Sequence, residues 1–216
     1  MSPDPEPRRH STVSVTGIAL FAASTLAMHA IQPDLSALDD AVSYYMNGQF
    51  GWVLGCGLVA LGIGSLALGL ALQCRKLAGA AGRVALFIWA IGVVIGGLFP
   101  PDPRGSWDKP PSISGMIHAN VAMVAFLALP VAAVLLSKQL GNVSASPVIR
   151  RFLPALGYAA AVMLVLFFVS LAPVFSDRPP RLLGLSERIL LVVYVAWLMV
   201  ATLAVRCERK PDISPL

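Results

Sequence analysis

No charged residue occurs between Asp40 and Arg75, and from Gly48 to Leu72 the chain reads GQFGWVLGCGLVALGIGSLALGLAL. That run constrains the fold more than any other feature. A soluble domain carries about 25% charged residues, whereas this 216-residue chain carries 12% and is 57% hydrophobic. A soluble fold of this composition would have apolar surface it could not hide, so lipid is the expected solvent. A hydrocarbon core of about 30 Å needs about 20 apolar residues per helical span. By that measure there are six segments: Val13 to Ala30, Phe50 to Gln73, Val84 to Phe99, Gly115 to Leu136, Phe152 to Leu171 and Ile189 to Val205. None alternates polar with apolar at period two, as a membrane barrel would. A helix pairs every backbone amide within its own segment, which lipid demands. The expected fold is therefore all-α: a polytopic six-helix bundle over residues 13–206, with disordered tails at 1–12 and 207–216.

Seven glycines lie between Gly48 and Gly69, although glycine weakens a water-exposed helix by about 1 kcal/mol relative to alanine. In a membrane, helices associate through close packing of small residues. Gly51/Gly55, Ser65/Gly69 and Gly92/Gly96 repeat at a spacing of four, on one helical face each. The second helix is expected to be central and tightly packed.

Charge sets the orientation, because cytoplasmic loops are enriched in Lys and Arg. Eleven basic residues fall on the side of the two termini and the 2–3 and 4–5 connections, and five on the other. Seven acidic residues accompany the five: Asp34, Asp39, Asp40, Asp102, Asp108, Asp177 and Glu187. Both termini are expected in the cytoplasm and the chain in the plasma membrane. The net charge of +5 is then a topology signal and points to no nucleic acid. Arg8-Arg9 before an apolar run resembles a signal peptide, but the run is long and no small-x-small site follows; an uncleaved first helix is expected. Cys56, Cys74 and Cys207 offer no disulfide framework.

The polar residues collect at the outer end. His29 closes the first segment, IQPDLSALDDAVSYYMNGQFGW supplies Asp40, Ser43, Tyr44 and Tyr45, and LFPPDPRGSWDKPPSISGMIH supplies Asp102, Trp107 and His118. Before the sixth segment, FSDRPPRLLGLSERI supplies Glu187 and Arg188, with Ser186 a plausible N-cap. Two imidazoles and several carboxylates suit acid–base work or a divalent metal, and an arginine suits an anionic head group. The bland alternatives are an interfacial anchor for His29, a snorkelling Arg188 and belt aromatics for Trp52 and Trp107. No HExxH or GxSxG pattern occurs. No Asp, Glu, Lys or Arg lies near the middle of a span, where coupled transporters usually place one.

DDAVSYYMNGQFGW resembles the motif after helix one in domain-of-unknown-function family 998, through His29, Asp40, Ser43, Tyr45, Gly48, Gly51 and Trp52. GLFPPDPRG and SGMIH are similar to its G-x-FP-x-D and G-x-x-H elements, through Gly97, Phe99, Pro100, Asp102, Gly115 and His118, and LSERIL to its x-ER element with Arg188. The resemblance implies a six-span fold with a polar cluster on the outer face and no particular activity.

The favoured expectation is an intramembrane enzyme acting on a lipid or isoprenoid, hydrolase-like or an acid-catalysed cyclase. His29, Asp40, Asp102 and His118 would be its acid–base groups, with Ser43, Tyr45, Trp107 and Arg188 contacting substrate. Any single divalent metal would sit on His29, His118 and Asp102. The expected partners are membrane lipids and a hydrophobic small molecule. A non-catalytic sensor or assembly protein and a small-solute transporter are the alternatives. Oligomeric state is left open.

Overall fold

The structure, a computed structural model, describes residues 5–106, 109–173 and 181–206. Six helices carry it: α1 (Pro5–Ile31), α2 (Trp52–Cys74), α3 (Ala80–Leu98), α4 (Ile113–Val143), α5 (Pro147–Leu171) and α6 (Leu183–Arg206). A short 3₁₀ segment, Val42–Asn47, interrupts the first connection. Each of the six is long and apolar enough to cross a membrane, and the described residues contain no strand. This is the all-α, six-span protein that the apolar runs predict.

The helices exceed their apolar segments. α1 starts at Pro5, ahead of Val13, with Thr12 Oγ1 donating to Arg8 O. Proline is at ease in a first turn, where its missing N–H costs nothing. α4 runs 31 residues, about 46 Å at 1.5 Å per residue, and Ser112 caps it by accepting from Gly115 N. Ser146 caps α5 in the same way, leaving only residues 144–146 between the two helices. α6 begins at Leu183, so Ser186 lies within it and bonds the Ser170 hydroxyl instead of capping. Glu187 and Arg188 therefore belong to a spanning helix.

Neighbours in sequence pack as neighbours in space, and α6 closes the ring against α1 while also touching α4 and α2. α2 is the most enclosed, with 56% of its span buried against 28% for α5. Glycine makes that possible: a Cβ built on Gly55 or on Gly97 would lie 2.8 Å from the other's carbonyl oxygen, so α2 and α3 meet backbone to backbone. Gly17 and Gly64 give α1 and α2 the same approach. Gly51 lies in the turn before α2, against Met46 O, and not on the packed face.

Hydrogen bonds between helices fix the register. Trp197 Nε1 donates to Ser137 Oγ at 2.9 Å, Trp89 Nε1 to Ser65 Oγ at 3.1 Å, and Ser14 and Thr202 share a hydroxyl pair at 2.8 Å. Trp89, Phe126, Tyr194 and Phe167 form an edge-to-face cluster in the core. Alternation along the ring puts residues 31–52, 98–106, 109–113 and 181–183 at one end, and the polar candidates among the described residues gather there.

Candidate functional site

The first connection folds back onto α6. Leu185 N donates to Leu38 O and Leu182 N to Asp39 Oδ1. Gly184 permits the approach, because a Cβ there would run into Asp40 O and lie 3.0 Å from Ala37 O. Gln32 Nε2 holds the 3₁₀ segment from the other side by donating to Tyr45 O and Gln49 O.

Two consecutive α6 residues then grip this segment. Glu187 Oε2 accepts the Val42 N–H at 2.7 Å. Arg188 donates from Nε to His29 Nε2 (2.9 Å), from Nη1 to Asp40 O (2.8 Å) and Gly184 O (2.9 Å), and from Nη2 to Tyr45 OH (3.3 Å). Its guanidinium also lies 5.8 Å from the Tyr45 ring centre. His29 Nδ1 donates to Thr25 O at 2.7 Å, so Nε2 is the acceptor and both ring nitrogens are engaged inside the protein. Asp40 Oδ2 meanwhile accepts from Ser36 N and from Arg104 Nη1, each at 2.8 Å.

A second group lies on the other side of Glu187. His118 is buried, 8% exposed, and its Nδ1–H donates to Phe99 O at 2.7 Å and Gly96 O at 3.1 Å. That fixes the tautomer and leaves Nε2 as an acceptor with no hydrogen-bond partner among the described residues. The Asp102 carboxylate accepts from Ser112 N and rests where a side chain at 115 would be. An anion is favoured there by the N-terminus of α4. Asn120 spends its amide N–H on Met116 O.

His118, Asp102, Ser43, Tyr44, Asn120 and Glu187 line one cavity of about 550 Å³. A smaller apolar space of about 60 Å³ shares His118, Ser43, Phe126 and Glu187 and reaches inward to Trp89 and Leu61. Glu187 is 6% exposed; its Oε1 has no hydrogen-bond partner among the described residues. Burial, then the charges of Glu187 and Asp40, push the Tyr44 phenol well above its ordinary range. Tyr44 therefore stays protonated.

The candidate residues thus divide into two groups. Asp102, His118 and Ser43 share the cavity, while His29, Asp40, Tyr45 and Arg188 bond to one another outside it. Both Glu187 and Arg188 hold the first connection, but successive helical residues point about 100° apart, and of the two only Glu187 also lines the cavity. Trp107 lies outside the described residues. The set His29, His118 and Asp102 is not assembled: no three His, Cys, Asp or Glu among the described residues are placed to hold a metal ion. Glu187 is a cavity residue absent from the sequence-derived candidates, since behind a Ser186 cap it reads only as a first-turn carboxylate favoured by the helix dipole. An acidic residue beside an arginine at membrane depth was the available signal.

The short motifs pair physically. The FPPD and GMIH elements lock together through Asp102, Gly115, Phe99 and His118, and the ER element grips the HA…DDAVSYY stretch. Residues 15–204 match the family described as "Protein of unknown function (DUF998)". No curated protein and no solved structure matches the chain.

Proposed function

The chain belongs to the DUF998 family of proteins of unknown function, a multi-pass membrane protein by its six apolar helices; from that premise we propose that it is a membrane-embedded enzyme performing an acid–base step on a lipidic substrate. One observation carries the reading: an imidazole lone pair (His118) and a buried carboxylate (Glu187) line a single, mostly apolar cavity of about 550 Å³, with a small apolar pocket beside it. Ligand sites are typically mostly apolar with a few convergent polar groups. Here the apolar part takes the substrate's chain and the polar part its reacting end.

In this reading His118 Nε2 removes a proton from the substrate's polar end, and the Phe99 and Gly96 carbonyls keep the ring oriented throughout. Glu187 faces the same space with one oxygen held by Val42 N–H. Ser43 and the protonated Tyr44 supply hydroxyls at the wall. His29 and Arg188 act by positioning the 3₁₀ segment. The cavity would open at the extracytoplasmic face of the plasma membrane, following the charge asymmetry.

A sensor that binds the same lipid without turnover is the second reading. It is favoured by the internal engagement of Arg188, His29 and Asp40. Lipids co-purifying with the protein in nanodiscs, identified by mass spectrometry, test both. Wild type should retain a lipid that Ala122→Trp, which fills the cavity, excludes. If that lipid is converted on incubation and His118→Ala stops conversion but not retention, the enzyme reading holds. Retention without conversion leaves the sensor, and no cavity-dependent lipid removes both.

A further inference from the structure

The sequence nominates Arg188 as a clamp for an anionic head group, but four of its five N–H groups are spent on His29, Asp40 O, Gly184 O and Tyr45. Arg188 does not line the cavity, and neither does Arg104, which pairs with Asp40. Among the described residues, the cation on the cavity's lining is Lys109, which is exposed. Inside, Glu187 Oε1 and His118 Nε2 are acceptors with no hydrogen-bond partner among the described residues, and the hydroxyls of Ser43 and Tyr44 stand on the same lining. Phe126, Phe167 and Tyr44 stand around them. An anionic head group here would face the carboxylates of both Glu187 and Asp102, whereas a cationic donor would satisfy the Glu187 and His118 acceptors and meet aromatic rings.

Resting on the lipid-cavity reading above, we infer that the occupant is an amphiphile whose polar end is an amine. Its N–H groups reach Glu187 and His118, and its chain lies along the apolar lining of the 550 Å³ cavity, against Met123, Phe126, Phe167 and Leu171. Asp102 contributes to the same charge balance at the rim, although its oxygens are held by Ser112 N.

Binding of decylamine, decanol and decyl phosphate to the full-length protein in nanodiscs tests this, since chain length is constant and only the head group changes. Decylamine should bind about tenfold tighter than decanol, with decyl phosphate weakest. Glu187→Gln keeps an oxygen for Val42 N–H and should bring the amine to within roughly threefold of decanol. His118→Phe provides a second variant and should weaken the amine in the same direction. Tightest binding of decyl phosphate, or an amine preference indifferent to both substitutions, overturns the amine assignment while leaving a lipid cavity standing. If Ala122→Trp weakens none of the three, the cavity reading itself fails.

Discussion

Arg188 Nε stands 2.9 Å from His29 Nε2, and the same ring's Nδ1 donates to Thr25 O. The imidazole is thus an acceptor that aims a guanidinium at the 3₁₀ segment. It ties α1, α6 and the first connection into one unit, and this unit forms a wall of the cavity.

Arg188→Lys should therefore destabilise the protein even though charge is kept, because one ammonium cannot span four acceptors in fixed directions. A loss of roughly 2–3 kcal/mol is expected from a charged group's hydrogen bonds. His29→Ala should lose less, and a double-mutant cycle between the two should give a coupling of about 1–2 kcal/mol. The measurement is the midpoint of denaturant-induced unfolding in mixed micelles. A wild-type midpoint for Arg188→Lys would show that the arginine holds nothing.

Gly184→Ala should loosen the first connection, since its Cβ would collide with Asp40 O and crowd Ala37 O at 3.0 Å. Backbone cannot step aside cheaply, so a cost of about 1–3 kcal/mol is expected, with faster proteolysis between residues 31 and 52. Gly96→Ala is the control. Its nearest neighbour would be Val121 Cγ2 at 4.0 Å, and helix propensity should make it neutral or stabilising by up to about 1 kcal/mol.

Ser137→Ala leaves the Trp197 N–H without its acceptor inside the bundle. In a bilayer such interhelical bonds average about 0.6 kcal/mol, so the unfolding midpoint should fall slightly. Near-ultraviolet circular dichroism should register the change in the indole's surroundings.

The Asp40–Arg104 ion pair, 2.8 Å long, has its arginine side chain 53% exposed. Arg104→Gln should cost under about 1 kcal/mol and become indistinguishable from wild type at high salt. A loss as large as that of Arg188→Lys would mean that the exposed pair, and not Arg188, fastens the connection.

The charge asymmetry predicts that the 98–113 connection faces outward. In a cysteine-free background, Ser106→Cys in intact cells should react with a membrane-impermeant maleimide, while restored Cys74 should react only after permeabilisation. The reverse pattern would invert the topology and with it the cavity's proposed side.

Sequence alone determined the spans, because burial in lipid is a property of each segment's own composition and needs no partner. It located the polar end for the same reason: charges are excluded from the hydrocarbon wherever the chain goes. The small-residue faces were legible only in part: Gly55 and Gly92 pack closely, but Gly51 lies in a turn, Gly96 has room for a Cβ, and the partner of Gly55 is Gly97, which belongs to none of the spaced pairs. Which polar groups meet was decided only by tertiary structure. His29 and Arg188 are 159 residues apart, and their pairing depends on how α1 and α6 close the ring, which no local pattern encodes. The start of α6 at Leu183 decided the rest. It drew Glu187 into the bundle and turned it about 100° from Arg188, so that both residues of an adjacent pair fasten the wall and one of them also lines the cavity.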